Sequence, residues 1–139
     1  AKDIQLRELK DTVSQLKTMI AEQTELIKEI RQQLTEHLEQ RFTIAELSKQ
    51  YLINTSTLKE IFKAVYGQPI ATYMKEFRMR QAMKLLRETN ATIADIASQV
   101  GYQTQGKFSS AFQSIVKMSP REYRKIQGIA PSDSFSKTL

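Results

Sequence analysis

Apolar side chains recur at alternating intervals of three and four from the start of the chain: Leu6, Leu9, Val13, Leu16, Ile20, Ile27, Ile30 and Leu34, with Gln23 and His37 as the two polar members. Neither glycine nor proline interrupts residues 1–40, and Glu, Gln, Lys and Thr fill the positions between. The pattern is a heptad and predicts one continuous amphipathic helix over residues 1–40. Branched Val13, Ile20 and Ile27 share one seam position, with Leu9 and Leu16 on the other, a distribution that favours a parallel two-stranded coiled coil. The candidate dimerisation residues are therefore Leu6, Leu9, Val13, Leu16, Ile20 and Ile27, giving a homodimer. The alternative is that the same stripe docks within its own chain on a further domain, and both readings stand. Ile30, Leu34 and Leu38 share another face, so the last turns are expected to seal the first of the units that follow. Gln23 and His37 read as exposed or frayed positions.

Beyond Arg41 the pattern breaks into short helices with their own start signals. Thr43-Ile44-Ala45-Glu46, Thr92-Ile93-Ala94-Asp95 and Ser119-Pro120-Arg121-Glu122 each place a hydroxyl three residues before a carboxylate. The first and third fit the capping box, and Asp95 favours the positive end of the helix dipole. Pro120 suits the first helical position, where a missing N–H costs nothing. A longer helix is predicted from Ile70 to Glu88, with apolar Tyr73, Met74, Phe77, Ala82, Leu85 and Leu86.

The chain also resembles itself. At a shift of 49 residues, Thr43-Ile44-Ala45-Glu46-Leu47-Ser48 matches Thr92-Ile93-Ala94-Asp95-Ile96-Ala97. One extra residue in the second copy then makes the shift 50, so that Leu58, Phe62 and Tyr73 correspond to Phe108, Phe112 and Tyr123. Two copies of one supersecondary unit flank a connecting helix. In each copy small and apolar residues let a short helix cross a second one closely, and the aromatic or leucine anchors hold that second helix with its other side outward. Such a helix fits a DNA major groove.

Charge sharpens this picture. Residues 41–128 carry 14 basic against 6 acidic side chains, a net +8, whereas residues 1–40 carry 6 against 8, a net −2. A basic excess concentrated on a compact domain is what a polyanion binder requires. With no cysteine or tryptophan and His37 as the only imidazole, the chain has no material for disulfides, zinc clusters, thiol nucleophiles or a Ser-His-Asp triad. No paired acid and base, nucleophile or phosphate-cradling glycine loop is evident, so an enzyme is not expected, nor is any cofactor or metal. No apolar run approaches the ~20 residues of a membrane span, and no signal peptide opens the chain, so a soluble cytoplasmic protein is expected. Because the chain starts at Ala1 directly in a helical pattern, it is expected to be a piece of a longer protein.

The stretch Thr92 to Arg124, TIADIASQVGYQTQGKFSSAFQSIVKMSPREYR, together with the first copy from Ile44 to Leu86, resembles the C-terminal DNA-binding domain of the AraC/XylS family of transcription regulators. The resemblance covers roughly Ile30 to Gln127. It implies an all-α, seven-helix tandem helix-turn-helix domain over residues 41–127, with units 43–66 and 92–116 joined by a central helix. It also implies two recognition helices in adjacent major-groove segments on one face of double-stranded promoter DNA, activation of transcription, contact with RNA polymerase, and a separate sensor or dimerisation domain for which residues 1–40 are the stalk. Carried over by position, the first recognition helix runs from about Thr55 to Tyr66 and presents Ser56, Lys59, Glu60 and Lys63. The second runs from Thr104 to Val116 and presents Gln105, Gly106, Lys107, Ser109, Ser110 and Gln113, with Thr104 at its start. Lys59 can donate to guanine, Glu60 can accept from cytosine N4, and Gln105 can pair with adenine. For Glu60 the competing reading is a surface pair with Lys59 or Lys63.

Three departures from the family pattern stand out. Gly106 lies inside the second recognition helix, Ser110 and Gln113 replace basic residues, and Lys117 occupies a turn position where the family has glycine. The aromatics Phe62, Tyr66, Phe77, Phe108, Phe112 and Tyr123 fall at core spacing and read as packing rather than base stacking, as does Tyr102. Residues 128–139 read as a flexible tail. The competing function is a coiled-coil interaction module whose basic domain binds DNA nonspecifically.

Overall fold

The computed structural model describes residues 2–129. Seven helices account for most of them: α1 (Lys2–Glu36), α2 (Ile44–Tyr51), α3 (Thr55–Tyr66), α4 (Ile70–Glu88), α5 (Ile93–Gln99), α6 (Gln105–Val116) and α7 (Pro120–Ile129). No strand occurs among the described residues. The fold is all-α. Gly128 and Ile129 belong to α7 rather than to a tail, and the rest of the tail expected from the sequence lies outside the described residues.

The helices form two compact units that are discontinuous in sequence. One takes the chain up to Gln33 and then Phe42–Ile70; the other takes Leu34–Arg41 and the chain from Ala71 onward. The first unit buries Ile27, Ile30, Leu47, Leu58 and Phe62 completely. Its polar ties are local and reciprocal: the side-chain amides of Gln33 and Gln50 each donate to the other, at 3.0 and 2.7 Å, and the Tyr51 hydroxyl donates to Gln33. The Arg31 guanidinium lies 5.9 Å from the centre of the Tyr66 ring. Burial, with the nearby Glu29 carboxylate, pushes the Tyr51 phenol above its ordinary range, so it stays a donor at neutral pH.

Two of the sequence expectations for α1 change here. Ile27, assigned to the dimer seam, is buried in the chain's own first unit and is unavailable to a partner. Leu34 and Leu38, expected to seal the first helix-turn-helix, group with the second unit, because the segment after α1 is bonded to the turn of the second copy. His37 lies just past the end of α1 and is exposed, and Gln23 is half-buried.

The second unit packs Met79, Ala82 and Leu86 of α4 with Ile96, Ala97, Val100, Phe108, Phe112, Val116 and Tyr123 in one core. Tyr102, Phe108, Phe112 and Tyr123 form a run of tilted and edge-on ring contacts with centroids 5.7 to 5.8 Å apart. All four aromatics thus pack as their spacing predicts. Arg124 donates to the carbonyls of Leu86 and Thr89 at the C-terminal end of α4, and the Tyr123 hydroxyl accepts from Arg87 at 2.8 Å.

Arg78 is the one buried charged side chain among the described residues, at 3% exposure. It stands on the stripe Met74, Arg78, Ala82 and Leu86, all buried at intervals of four. Its guanidinium donates to backbone carbonyls: Leu38, Val100 at 2.7 Å and Gln40 at 3.4 Å. Burial, and then the like charge of Arg41, lower its pKa to about 10, which leaves it protonated at neutral pH. Val100 is the C-terminal cap of α5 and Leu38 follows the end of α1, so the carbonyls that hold the charge lie near the negative ends of two helix dipoles.

Candidate nucleic-acid interface

Each copy of the repeat is built by the same local rules, and its capping and turn hydrogen bonds fall at corresponding positions. In α2 the Thr43 hydroxyl accepts from the Glu46 amide at 3.0 Å and the Glu46 carboxylate accepts from the Thr43 amide, which completes a capping box. In α5 Thr92 accepts from Asp95 in the same way, at 3.0 Å, without the reciprocal bond. The first helix of each copy closes with a bond across the turn, Ile53 to the Ser48 carbonyl in one and Tyr102 to the Ala97 carbonyl in the other. The extra residue of the second copy, Gln103, falls between that bond and the cap of the next helix. Asn54 caps α3 by accepting from Ser56 and Thr57, and Thr104 caps α6 by accepting from Lys107 at 3.1 Å.

The turn residue in each copy has a positive φ. It is Gly101 in the second, at 89°, and Leu52 in the first, at 53° and 92% exposed. The helices α3 and α6 end on the same geometry again: Gly67 at φ 78° donates to the Lys63 carbonyl, and Lys117 at φ 69° donates to that of Gln113. Lysine therefore adopts the left-handed backbone that the glycine at this position would take more easily, and the turn keeps its shape under strain.

In the first unit, Leu58 and Phe62 are fully buried on one side of α3, while Ser56, Lys59, Glu60 and Lys63 are all exposed on the other. Among the described residues Glu60 is ion-paired with neither Lys59 nor Lys63, so its carboxylate remains open as an acceptor. In the second unit, Phe108 and Phe112 anchor α6 and leave Gln105, Gly106, Lys107, Ser110 and Gln113 exposed. Ser109 is half-buried and, with Gln105, lines an open groove that also includes Ile93, Ser119, Pro120 and Arg121. Thr104 precedes α6 as its cap, and its hydroxyl oxygen is already used as an acceptor. A side chain at Gly106 would meet nothing within 4 Å, so packing does not demand glycine there. Gln105 and Gln113 offer amide donors on one flank of α6 and Lys107 an ammonium on the opposite flank, whereas Lys59 and Lys63, four apart, share one face of α3. Groups of this kind can bond to base edges, or to phosphates where the charge dominates.

Sequence reasoning overlooked Arg41 and Arg78. Arg41, itself exposed, donates from Nε to the Gly101 carbonyl at 2.7 Å and lies 4.7 Å from the centre of the Tyr102 ring. The signal that could have found Arg78 is its place on the buried stripe of α4, where a cation must have several acceptors. No group of His, Asp or Glu suited to a metal occurs among the described residues, and no helix is long and apolar enough to cross a membrane.

On α1 every residue from Lys2 to Glu22 is exposed. The seam residues Leu6, Leu9, Val13, Leu16 and Ile20 keep 48 to 62% of their surface, and Ile4 and Met19 beside them are equally open.

A helix-turn-helix domain model matches residues 47–126, more than half of the chain. An AraC-like transcription regulator of Streptomyces lividans is 40% identical over 84 residues, which are 60% of this chain and 28% of that protein. The transcriptional activator RhaR of Mannheimia succiniciproducens is 34% identical over 91 residues, 66% of this chain and 33% of its own. Among solved structures, the C-terminal domain of AraT, a response regulator from Geobacillus stearothermophilus, superposes with a TM-score of 0.68 at 30% identity, covering 72% of this chain and 84% of that one. The chain spans about a third or less of the length of these curated relatives.

Proposed function

Since the chain belongs to the AraC-type helix-turn-helix family, we propose that it is the DNA-binding part of a transcription regulator that recognises promoter DNA by sequence. The observation that carries this reading is the repeated recognition helix: buried Leu58 and Phe62 behind exposed Ser56, Lys59, Glu60 and Lys63, and buried Phe108 and Phe112 behind exposed Gln105, Lys107, Ser110 and Gln113. In this reading residues 41–127 bind double-stranded DNA, and α3 and α6 enter successive major-groove segments. Lys59 donates to guanine, Glu60 accepts from cytosine and Gln105 pairs with adenine. Thr104, Gly106 and Ser109 border the backbone, and Lys63 and Lys107 neutralise phosphates. The net +8 of residues 41–128 supports this assignment.

The remaining parts rest on the family and on α1. Activation, through a surface offered to RNA polymerase, is favoured by the relative named as an activator. Homodimerisation through Leu6, Leu9, Val13, Leu16 and Ile20 is supported by five apolar side chains left half in solvent at heptad spacing, and a DNA-bound regulator of this kind works in the cytoplasm. Selection of bound sites from randomised duplexes, followed by competition with scrambled DNA, tests the central reading. Selected sites should bind at least ~10³ times more tightly than scrambled ones. Equal affinity for both would reduce the domain to nonspecific DNA binding.

A further inference from the structure

We propose that Arg41 and Arg78 are positioning residues for the second recognition helix, clamping the Val100–Tyr102 turn to the segment that follows α1. The proposal rests on the DNA-binding reading and adds to it the device that fixes where α6 begins. Three residues of the turn are engaged: Val100 accepts from Arg78, Gly101 accepts from Arg41, and the ring of Tyr102 lies beneath the Arg41 guanidinium. On the other side, Arg78 also holds the carbonyls of Leu38 and Gln40. Arg78 thus bonds to both segments of the junction, and Arg41 reaches from one to the other.

Gly101 completes the clamp. Its φ of 89° favours glycine, and a Cβ there would collide with the Arg78 guanidinium and the Leu38 carbonyl. Only two residues, Tyr102 and Gln103, separate this point from Thr104, the cap of α6, so displacement of the turn must displace the start of the recognition helix and with it Gln105. The first copy is built differently at the same place, where Leu52 stands 92% exposed. The second copy is one residue longer than the first at Gln103, and the two arginines hold the backbone just ahead of it.

Arg41 offers the cleaner test because it is exposed, and its loss leaves the core intact. Arg41→Lys keeps the charge but loses the planar stack and the Nε donor. Arg41→Ala loses both. In the full chain, base preferences from randomised duplexes are compared with those of Gln105→Ala, which marks the positions read by α6, and of Lys59→Ala, which marks those read by α3. Both Arg41 variants should weaken preference at the α6 positions by about tenfold and leave the α3 positions unchanged. If Arg41→Lys behaves as the native chain while Arg41→Ala loses affinity on all sequences alike, Arg41 is a phosphate contact and the clamp is rejected. Unchanged preferences in both variants reject it as well.

Amide hydrogen exchange without DNA separates this from the functional reading. Exchange at Gly101, Tyr102 and Phe108 should quicken by about tenfold or more in both variants, while the matching amides Ile53 and Leu58 keep their rates. A native chain lacking sequence preference, with the exchange pattern as expected, would overturn the regulator assignment and retain the clamp. Uniform quickening in both copies would mean that Arg41 serves general stability, and would reject positioning.

Discussion

Lys117 and Gly67 occupy the same place in the two copies, and exchanging what they carry gives a signed test of the backbone argument. Both residues are left-handed, at φ 69° and 78°, and both donate an amide to the last turn of a recognition helix. A Cβ in this conformation costs about 1 to 2 kcal/mol. Glycine recovers that amount but brings a more disordered unfolded chain, worth about 0.4 to 1 kcal/mol in the opposite direction. Lys117→Gly should therefore stabilise the protein by about 0.5 to 1 kcal/mol, a rise of roughly 2 to 8 °C in the melting midpoint for a domain of this size. Lys117→Ala supplies the charge-matched reference, since it also removes the ammonium group but keeps the Cβ. Gly67→Ala is the mirror experiment. Nothing lies within 4 Å of a Cβ built there, so the backbone term stands alone and the midpoint should fall by a similar amount. Thermal and urea denaturation of the four proteins decide the matter. If glycine and alanine at position 117 give the same stability, Lys117 is not strained and the account of the α6–α7 turn fails.

Other perturbations follow from the same geometry. Lys59→Ala should relax preference at one base position by about 1 to 3 kcal/mol, measured against single-base variants of the selected site; a uniform loss would make Lys59 a phosphate contact. Removing residues 1–22, all exposed where described, should abolish self-association in sedimentation with the circular dichroism melt of the remaining domain retained. By contrast, Ile27→Ala should cost about 2 to 5 kcal/mol of stability and leave association intact, because Ile27 faces the core. Gly101→Ala combines an unfavourable φ with a collision at Arg78 and Leu38 and should cost about 2 to 5 kcal/mol in denaturation, whereas Leu52→Gly at the matching exposed turn should be neutral or gain up to about 1 kcal/mol.

Local signals made most of this architecture legible in advance. Thr43 with Glu46, and Ser119 with Glu122, close capping boxes because both partners lie within one turn, and Pro120 opens α7 where its missing amide is harmless. Leu58, Phe62, Phe108 and Phe112 were readable as anchors because burial on a helix follows its period. What escaped depends on contacts between distant parts of the chain. Ile27 continues the heptad without a break, and only the position of α2 and α3 against the end of α1 decides that it faces inward. Arg78 resembles any exposed helical arginine until residues 38, 40 and 100 are brought to it. Lys117 and Leu52 show the converse limit, since a residue type that disfavours positive φ adopts it when the turn bonds on either side require it.

The interleaving of the two units constrains how the chain can fold as it leaves the ribosome. Residues up to Gln33 and Phe42–Ile70 can consolidate once α3 has emerged, yet Leu34–Arg41, made earlier, belongs with partners not yet synthesised. The carbonyls of Leu38 and Gln40 must stay hydrated until Arg78 is translated, and the arginine then waits for Val100, a further 22 residues on. The nascent protein thus carries an unfinished joint while the residues between Leu38 and Val100 are made, and a pause or truncation before residue 100 would leave a buried-type cation exposed in a loosely held intermediate.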